Sequence, residues 1–152
     1  MSELKEVIIG YVAVDSGQIM ICDPGNIDDK WADEPFKDVR RYAIAIDSRV
    51  LAYPKDFNNY NDPIPDYGMS MNDLLSNGQA SKLPRDKAKE QFSYNAVANI
   101  TLREPNHGAI PFSWGNPGLA VAFASGYGDG LYPVTGFVNE EGRIMKVVID
   151  MS

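Results

Sequence analysis

The chain has 152 residues, a formal net charge of -7, and a composition that is 44% hydrophobic and 23% charged. That length suits a single domain, residues 1–152, burying roughly 70% of its extended-chain surface, and the composition excludes a chain disordered or collagenous throughout. The one cysteine, Cys22, cannot form an internal disulfide, so a disulfide scaffold is excluded and a reducing compartment, the cytoplasm, is expected.

The opening Met1-Ser2-Glu3-Leu4-Lys5-Glu6 has no basic segment leading into an apolar one, so no signal peptide is expected. Residues 6–14 are almost continuously apolar and read as a strand buried on both faces. They are far shorter than the ~20 apolar residues that cross a membrane as a helix. Asp15-Ser16-Gly17 reads as a turn, and residues 18–22 as the hairpin partner of the first strand. Residues 26–37 mix Trp31 and Phe36 with acids and suit a loop or one helical turn.

Residues 40–47 alternate, with Tyr42, Ile44 and Ile46 on one face. Residues 53–83 are rich in Pro, Asn, Asp and Gly and read as a long variable loop, with a helical turn near 71–75. Residues 84–91 are the best helix candidate, opened by Pro84. Residues 92–103 read as a strand, with Tyr94, Ala96, Ala98, Ile100 and Leu102 facing one way and Ser93, Asn95, Asn99, Thr101 and Arg103 the other. Residues 104–117 read as a connector, 119–124 and 131–138 as strands around a glycine-rich turn, and 139–142 as a hairpin turn. Residues 143–151 close the chain, with Met145, Val147, Ile149 and Met151 facing a core. About seven strands with little helix predict an all-β, or mainly β, fold: an antiparallel barrel or sandwich with at most one short helix. Residues 12–17 (Val-Ala-Val-Asp-Ser-Gly) echo residues 121–126 (Val-Ala-Phe-Ala-Ser-Gly).

Acids cluster in two places. Residues 23–34 hold Asp23, Asp28, Asp29, Asp33 and Glu34 against Lys30, and residues 56–73 hold four acids and no base. Such surfaces repel phosphate backbones, so bulk nucleic acid is not an expected partner. A solvated face explains the acids; a cation site or a surface mimicking nucleic acid are the sharper alternatives.

Gly126-Tyr127-Gly128-Asp129-Gly130 has the glycines of a phosphate loop, but strand rather than helix follows, so a tight turn or a ligand rim fits better. His107 is the only histidine and sits in a Pro/Asn/Gly turn. Ser125 lacks the preceding glycine of a nucleophile elbow. Asp15, Asp129 and His107 are therefore weak catalytic candidates, as acid or base of a hydrolase or lyase. One His and one Cys cannot build a typical zinc site, and no cofactor is expected. Asp15, Asp23 and Asp129, all in turns, are a conceivable calcium or magnesium set, though turn aspartates commonly cap their own backbone. Trp31, Tyr60, Tyr67 and Trp114 could stack a base or sugar, or serve as packing anchors.

Taken in order, Val14-Asp15-Ser16-Gly17-Gln18, Asp23-Pro24, Ser93-Tyr94-Asn95-Ala96, Ser125 to Val134 and Gly142-Arg143 resemble a family of small uncharacterised proteins of bacteria and tailed phages. Its most specific element is the Ser-Gly-x-Gly-Asp-Gly-x-Tyr motif. The family has no established activity; the resemblance implies a phage-type accessory protein acting on host defence in the host cytoplasm. The expected site gathers Asp15, Ser16, Asn95, Ser125, Gly126, Asp129 and Tyr132 at one rim. It would bind and sequester a small polar ligand, such as a nucleotide signal of host defence. The alternatives are a protein-interaction module or acidic nucleic-acid mimic that inhibits a host protein, and a hydrolase or lyase acting on a nucleotide-like ligand.

Overall fold

The computed structural model describes residues 3–84 and 91–152. It is mainly β, 40% strand and 15% helix, in several antiparallel sheets without a closed barrel. The elements are β1 (Lys5–Val14), β2 (Gln18–Cys22), α1 (Pro24–Lys30), β3 (Arg40–Ile44), β4 (Val50–Tyr53), β5 (Pro63–Ile64), β6 (Met69–Ser70), α2 (Met71–Ser76), β7 (Ala80–Lys82), α3 (Tyr94–Thr101), β8 (His107–Ile110), β9 (Ala120–Ala124), β10 (Gly130–Val138) and β11 (Ile144–Ile149). Two compact units form: residues 1–31 with 100–152, and residues 32–99.

The first unit holds two three-stranded antiparallel sheets, β1-β10-β11 and β2-β9-β8. The expectation that residues 18–22 return as the hairpin partner of the first strand is corrected: β2 pairs with β9, and β1 with β10. The turn at 15–17 is a corner that carries the chain from one sheet to the other, and the turn at 125–129 is a second corner carrying it back. The repeated segments lie on β1 and β9, the two strands that lead into these corners. Val14, Ile19 and Tyr132 are buried together, with Val12, Phe123, Ile149 and Met151 packed against them. Residues 104–117 are more than a connector, because β8 forms there and pairs with β9.

Two core assignments are corrected. β1 is not buried on both faces, since Ile8, Ile9 and Tyr11 are exposed. Met145 and Val147 on β11 are exposed as well, whereas Ile149 and Met151 reach the core. The cluster around Val14 and Tyr132 covers only one end of the sheet, so apolar alternation farther along is left in water.

The second unit is built on β4-β3-β7, the β5-β6 ladder and α2. Tyr42, Ile44, Leu51, Phe57, Ile64, Met71, Leu74 and Ala80 form its core. The long loop expected at 53–83 is therefore corrected to a chain of short elements tied down by buried apolar residues, with α2 at the expected helical turn. Ser70 caps α2, its hydroxyl accepting from Asp73 N at 3.2 Å. Ile46 lies past the end of β3 and is exposed, unlike its expected facemates Tyr42 and Ile44.

The expected strand at 92–103 is a helix instead, α3. Ser93 starts it: fully buried, its hydroxyl accepts from Ala96 N at 3.2 Å. Phe92, Ala96, Val97 and Ile100 are buried at helical spacing. Residues 85–90 of the expected helix at 84–91 lie outside the described residues.

Candidate functional site at the paired corner turns

Antiparallel register brings the two corner turns side by side. Val14 pairs with Gly130 on one sheet and Gln18 with Ala124 on the other. Ser125 N donates to Gly17 O across the gap at 2.9 Å. A Cβ built on Gly17 would come within 3.9 Å of Asp129 Oδ1, which places the Asp129 carboxylate beside the first turn.

The second turn is held from below. Gly128 N donates to Ser125 O at 3.1 Å and closes it. Ser125 Oγ donates to Gly128 O at 2.5 Å, and the Tyr132 hydroxyl donates to the same oxygen at 2.7 Å. Gly128 has φ +87°, a conformation that a side chain disfavours. Gly126 is required for a different reason: a Cβ there would lie 3.0 Å from Met151 O. The backbone chemistry of the motif thus follows from its fold.

Above this clasp the surface is open. Asp15, Ser16, Gly126 and Asp129 are exposed, and Tyr127 at the tip is 85% exposed. Sequence reasoning passed over Tyr127. Its signal was an aromatic residue between two glycines, in a turn too short to fold the ring back onto a core.

Of the residues expected at this rim, Asp15, Ser16, Ser125, Gly126, Asp129 and Tyr132 come together, the first two on one turn and the others on or just after the second. Ser125 and Tyr132 are buried beneath the rim, with their hydroxyls already donated to Gly128. Asn95 is corrected: it lies on a helix of the second unit rather than on the polar face of a strand. It is buried, and its Oδ1 accepts from Lys37 N at 3.0 Å. His107 opens β8, exposed and in register with Phe123.

The aromatic candidates divide. Tyr60 and Tyr67 are anchors: the Tyr60 hydroxyl lies 2.8 Å from that of Tyr42, and Tyr67 donates to Asp47 at 2.7 Å. Burial, followed by the bond to Tyr42, pushes the Tyr60 hydroxyl well above the usual tyrosine range. Arg40 stacks over Tyr53 and Tyr60 while paired to Asp38. Trp114 is exposed and stacks on Phe112, centroids 4.6 Å apart and rings 10° from parallel.

Among the described residues, no three His, Cys, Asp or Glu side chains come together to hold a metal ion, so Asp15, Asp23 and Asp129 do not form the conceivable cation set. Also among the described residues, no helix is long and apolar enough to cross a membrane. No family model, curated protein or solved structure matches the chain, so a functional reading rests on this geometry.

Proposed function

We propose that this chain is a non-enzymatic binding protein that grips a partner protein through its paired corner turns. Tyr127 is the anchor, and Asp15 and Asp129 favour a basic contact surface. The observation that carries this reading is the exposed Tyr127 ring on a turn clamped by two hydroxyls at Gly128. Tyrosine offers a large amphipathic contact with few rotatable bonds, and a turn fixed before binding loses little entropy on binding. Ser, Gly and Tyr are also residue types that recognition loops favour.

The small-ligand reading has fewer uncommitted polar groups than the sequence promised. Asn95, Ser125 and Tyr132 are each engaged in internal hydrogen bonds, which leaves Asp15, Ser16, Asp129 and rim backbone for a ligand. Nucleophilic chemistry at Ser125 is disfavoured too, because its proton is directed at a carbonyl rather than a base. The resemblance to phage-type proteins makes a host-defence protein in the cytoplasm the first partner to try.

The test places a photo-crosslinking amino acid at Tyr127 and, as a control, at Glu141 in the 139–142 turn, in cells producing the protein. The expected result is a discrete protein adduct from position 127 only, reduced by Asp15→Asn with Asp129→Asn. Equal adducts from both positions overturn the reading. Calorimetry with nucleotides, cyclic dinucleotides and sugars runs in parallel. Binding that survives Tyr127→Ala restores the small-ligand reading instead.

A further inference from the structure

The β1-β10-β11 sheet has one face that the core does not reach. Register and alternation place Ile8, Tyr11, Leu131, Thr135, Phe137 and Val148 on it, opposite the face that holds Val12, Val14 and Tyr132. Ile8 is 58% exposed, Tyr11 63% and Leu131 66%. These side chains leave several hundred Å² of mostly apolar surface in water, of the order of the ~800 Å² that each partner gives to a standard interface. We propose that this face is covered by a second copy of the chain, making a two-fold dimer.

Charge favours a second copy as the occupant. The chain as a whole is at -7, which opposes self-association. Of the three charged residues on these strands, Lys5 pairs with Val138 and lies on the other face, so this face carries one charge of each sign, Glu6 and Lys146, and is neutral. Two copies can approach through this face without net repulsion across it.

The register also makes the face self-complementary. β1 and β11 flank β10, and both run antiparallel to it. Glu6, Phe137 and Lys146 form one cross-strand row, and Ile8, Thr135 and Val148 form another. Lys146 Nζ lies 5.0 Å from the Phe137 ring centroid, which fixes it on this face. A two-fold axis running along β10, between two facing sheets, exchanges the positions of β1 and β11. Glu6 then meets Lys146 of the second copy, and Ile8 meets Val148 of the second copy. Like patches meeting through unlike residues is what a closed two-fold interface requires, and aligned sheet packing is a common geometry. Because the axis follows the strands, both pairs of corner turns sit at the same end of the dimer. The consequence that target binding is bivalent rests on the function proposed above; the dimer itself does not.

Sedimentation velocity on the full chain, from about 5 to 500 µM, tests the dimer in the range where such interfaces assemble. The expected result is a species of twice 16.8 kDa. Ile8→Lys should weaken it about tenfold or more with the circular dichroism spectrum unchanged, and Glu6→Lys should weaken it by setting lysine against lysine. Glu6→Lys combined with Lys146→Glu should restore association. A single-chain mass throughout, association indifferent to both single variants, or a charge swap that fails to rescue overturns the proposal. If Ile8→Lys fails to fold, the charge-swap pair still decides, since both residues are at the surface. Crosslinking at Tyr127 in the monomeric variant separates this outcome from the fate of the function proposed above.

Discussion

The hydroxyls of Ser125 and Tyr132 converge on one acceptor, the carbonyl oxygen of Gly128, at 2.5 and 2.7 Å. The two donors come from different places, one from the start of the corner turn and one from β10. Tyr132 also places its ring in the cluster with Val14 and Ile19, so the turn that presents Tyr127 is bonded directly to the core.

A carbonyl oxygen can accept two hydrogen bonds, so each donor partly covers for the other. Ser125→Ala and Tyr132→Phe should each cost about 0.5–1.5 kcal/mol. The double variant should cost more than their sum, because a part-buried carbonyl then loses both partners. Urea unfolding of the four proteins measures this. Strict additivity would show that the two bonds do not share an acceptor in solution.

The clasp was partly legible in the sequence, and the reasons differ along the chain. The two turn motifs could be matched because turn chemistry is local: Asp15-Ser16-Gly17 and Gly126 to Gly130 need no distant partner to be recognised as turns. Which strand pairs with which is not local, so the short turn at 15–17 suggests a hairpin with β1 although residues 18–22 pair with β9. Segment 92–103 shows a second limit. Its apolar residues at 94, 96, 98, 100 and 102 fit a period of two. Burial of Ala96, Val97 and Ile100 fits a helix equally well. The deciding signal was Ser93, three residues before Ala96 and able to cap its N–H. That change of element puts Asn95 on a helix, where its Oδ1 accepts from Lys37 N. The engaged hydroxyls of Ser125 and Tyr132 could not be foreseen, because a hydroxyl looks the same in sequence whether it awaits a ligand or holds a backbone.

Asn95 should behave as a structural residue. Asn95→Ala leaves Lys37 N without its side-chain acceptor and should cost about 1–3 kcal/mol. Asn95→Asp keeps an acceptor and should cost less. Neither should change crosslinking from Tyr127. Loss of crosslinking in a variant that melts like the wild type would instead make Asn95 part of the binding surface.

In the second unit, the Asp47–Tyr67 bond should leave a signature in pH titration. The hydroxyl of Tyr67, donating at 2.7 Å, holds the Asp47 carboxyl below the usual carboxylate range. Desolvation, and then the same bond, raise the Tyr67 hydroxyl above the usual tyrosine range. A depressed carboxyl stabilises the fold above its unfolded pKa and loses that contribution as pH falls through its folded pKa. A raised tyrosine stabilises below its unfolded pKa and loses that contribution as pH rises through its folded pKa. The stabilisation from this bond is therefore fully present between roughly pH 4 and 10 and fades only beyond those limits. Carboxyl-carbon NMR of Tyr67→Phe should show the Asp47 midpoint moving up. An unmoved midpoint would assign the depression to Arg49 instead, whose N–H also donates to Asp47.

Tyr127 carries the sharpest prediction, because stability and binding should separate there. Its ring is 85% exposed, so Tyr127→Ala removes little buried surface and should leave the urea midpoint within about 0.5 kcal/mol of wild type. If the ring is the anchor of an interface, the same change should weaken partner capture by about 2 kcal/mol or more, near thirtyfold. Ser125→Ala should produce the opposite pattern: a clear loss of stability, and a smaller loss of capture through a looser turn. Comparing the two variants in unfolding and in capture therefore distinguishes the residue that contacts the partner from the residue that holds it in place. A Tyr127→Ala protein that captures its partner as well as wild type removes the corner turns from consideration as the binding surface.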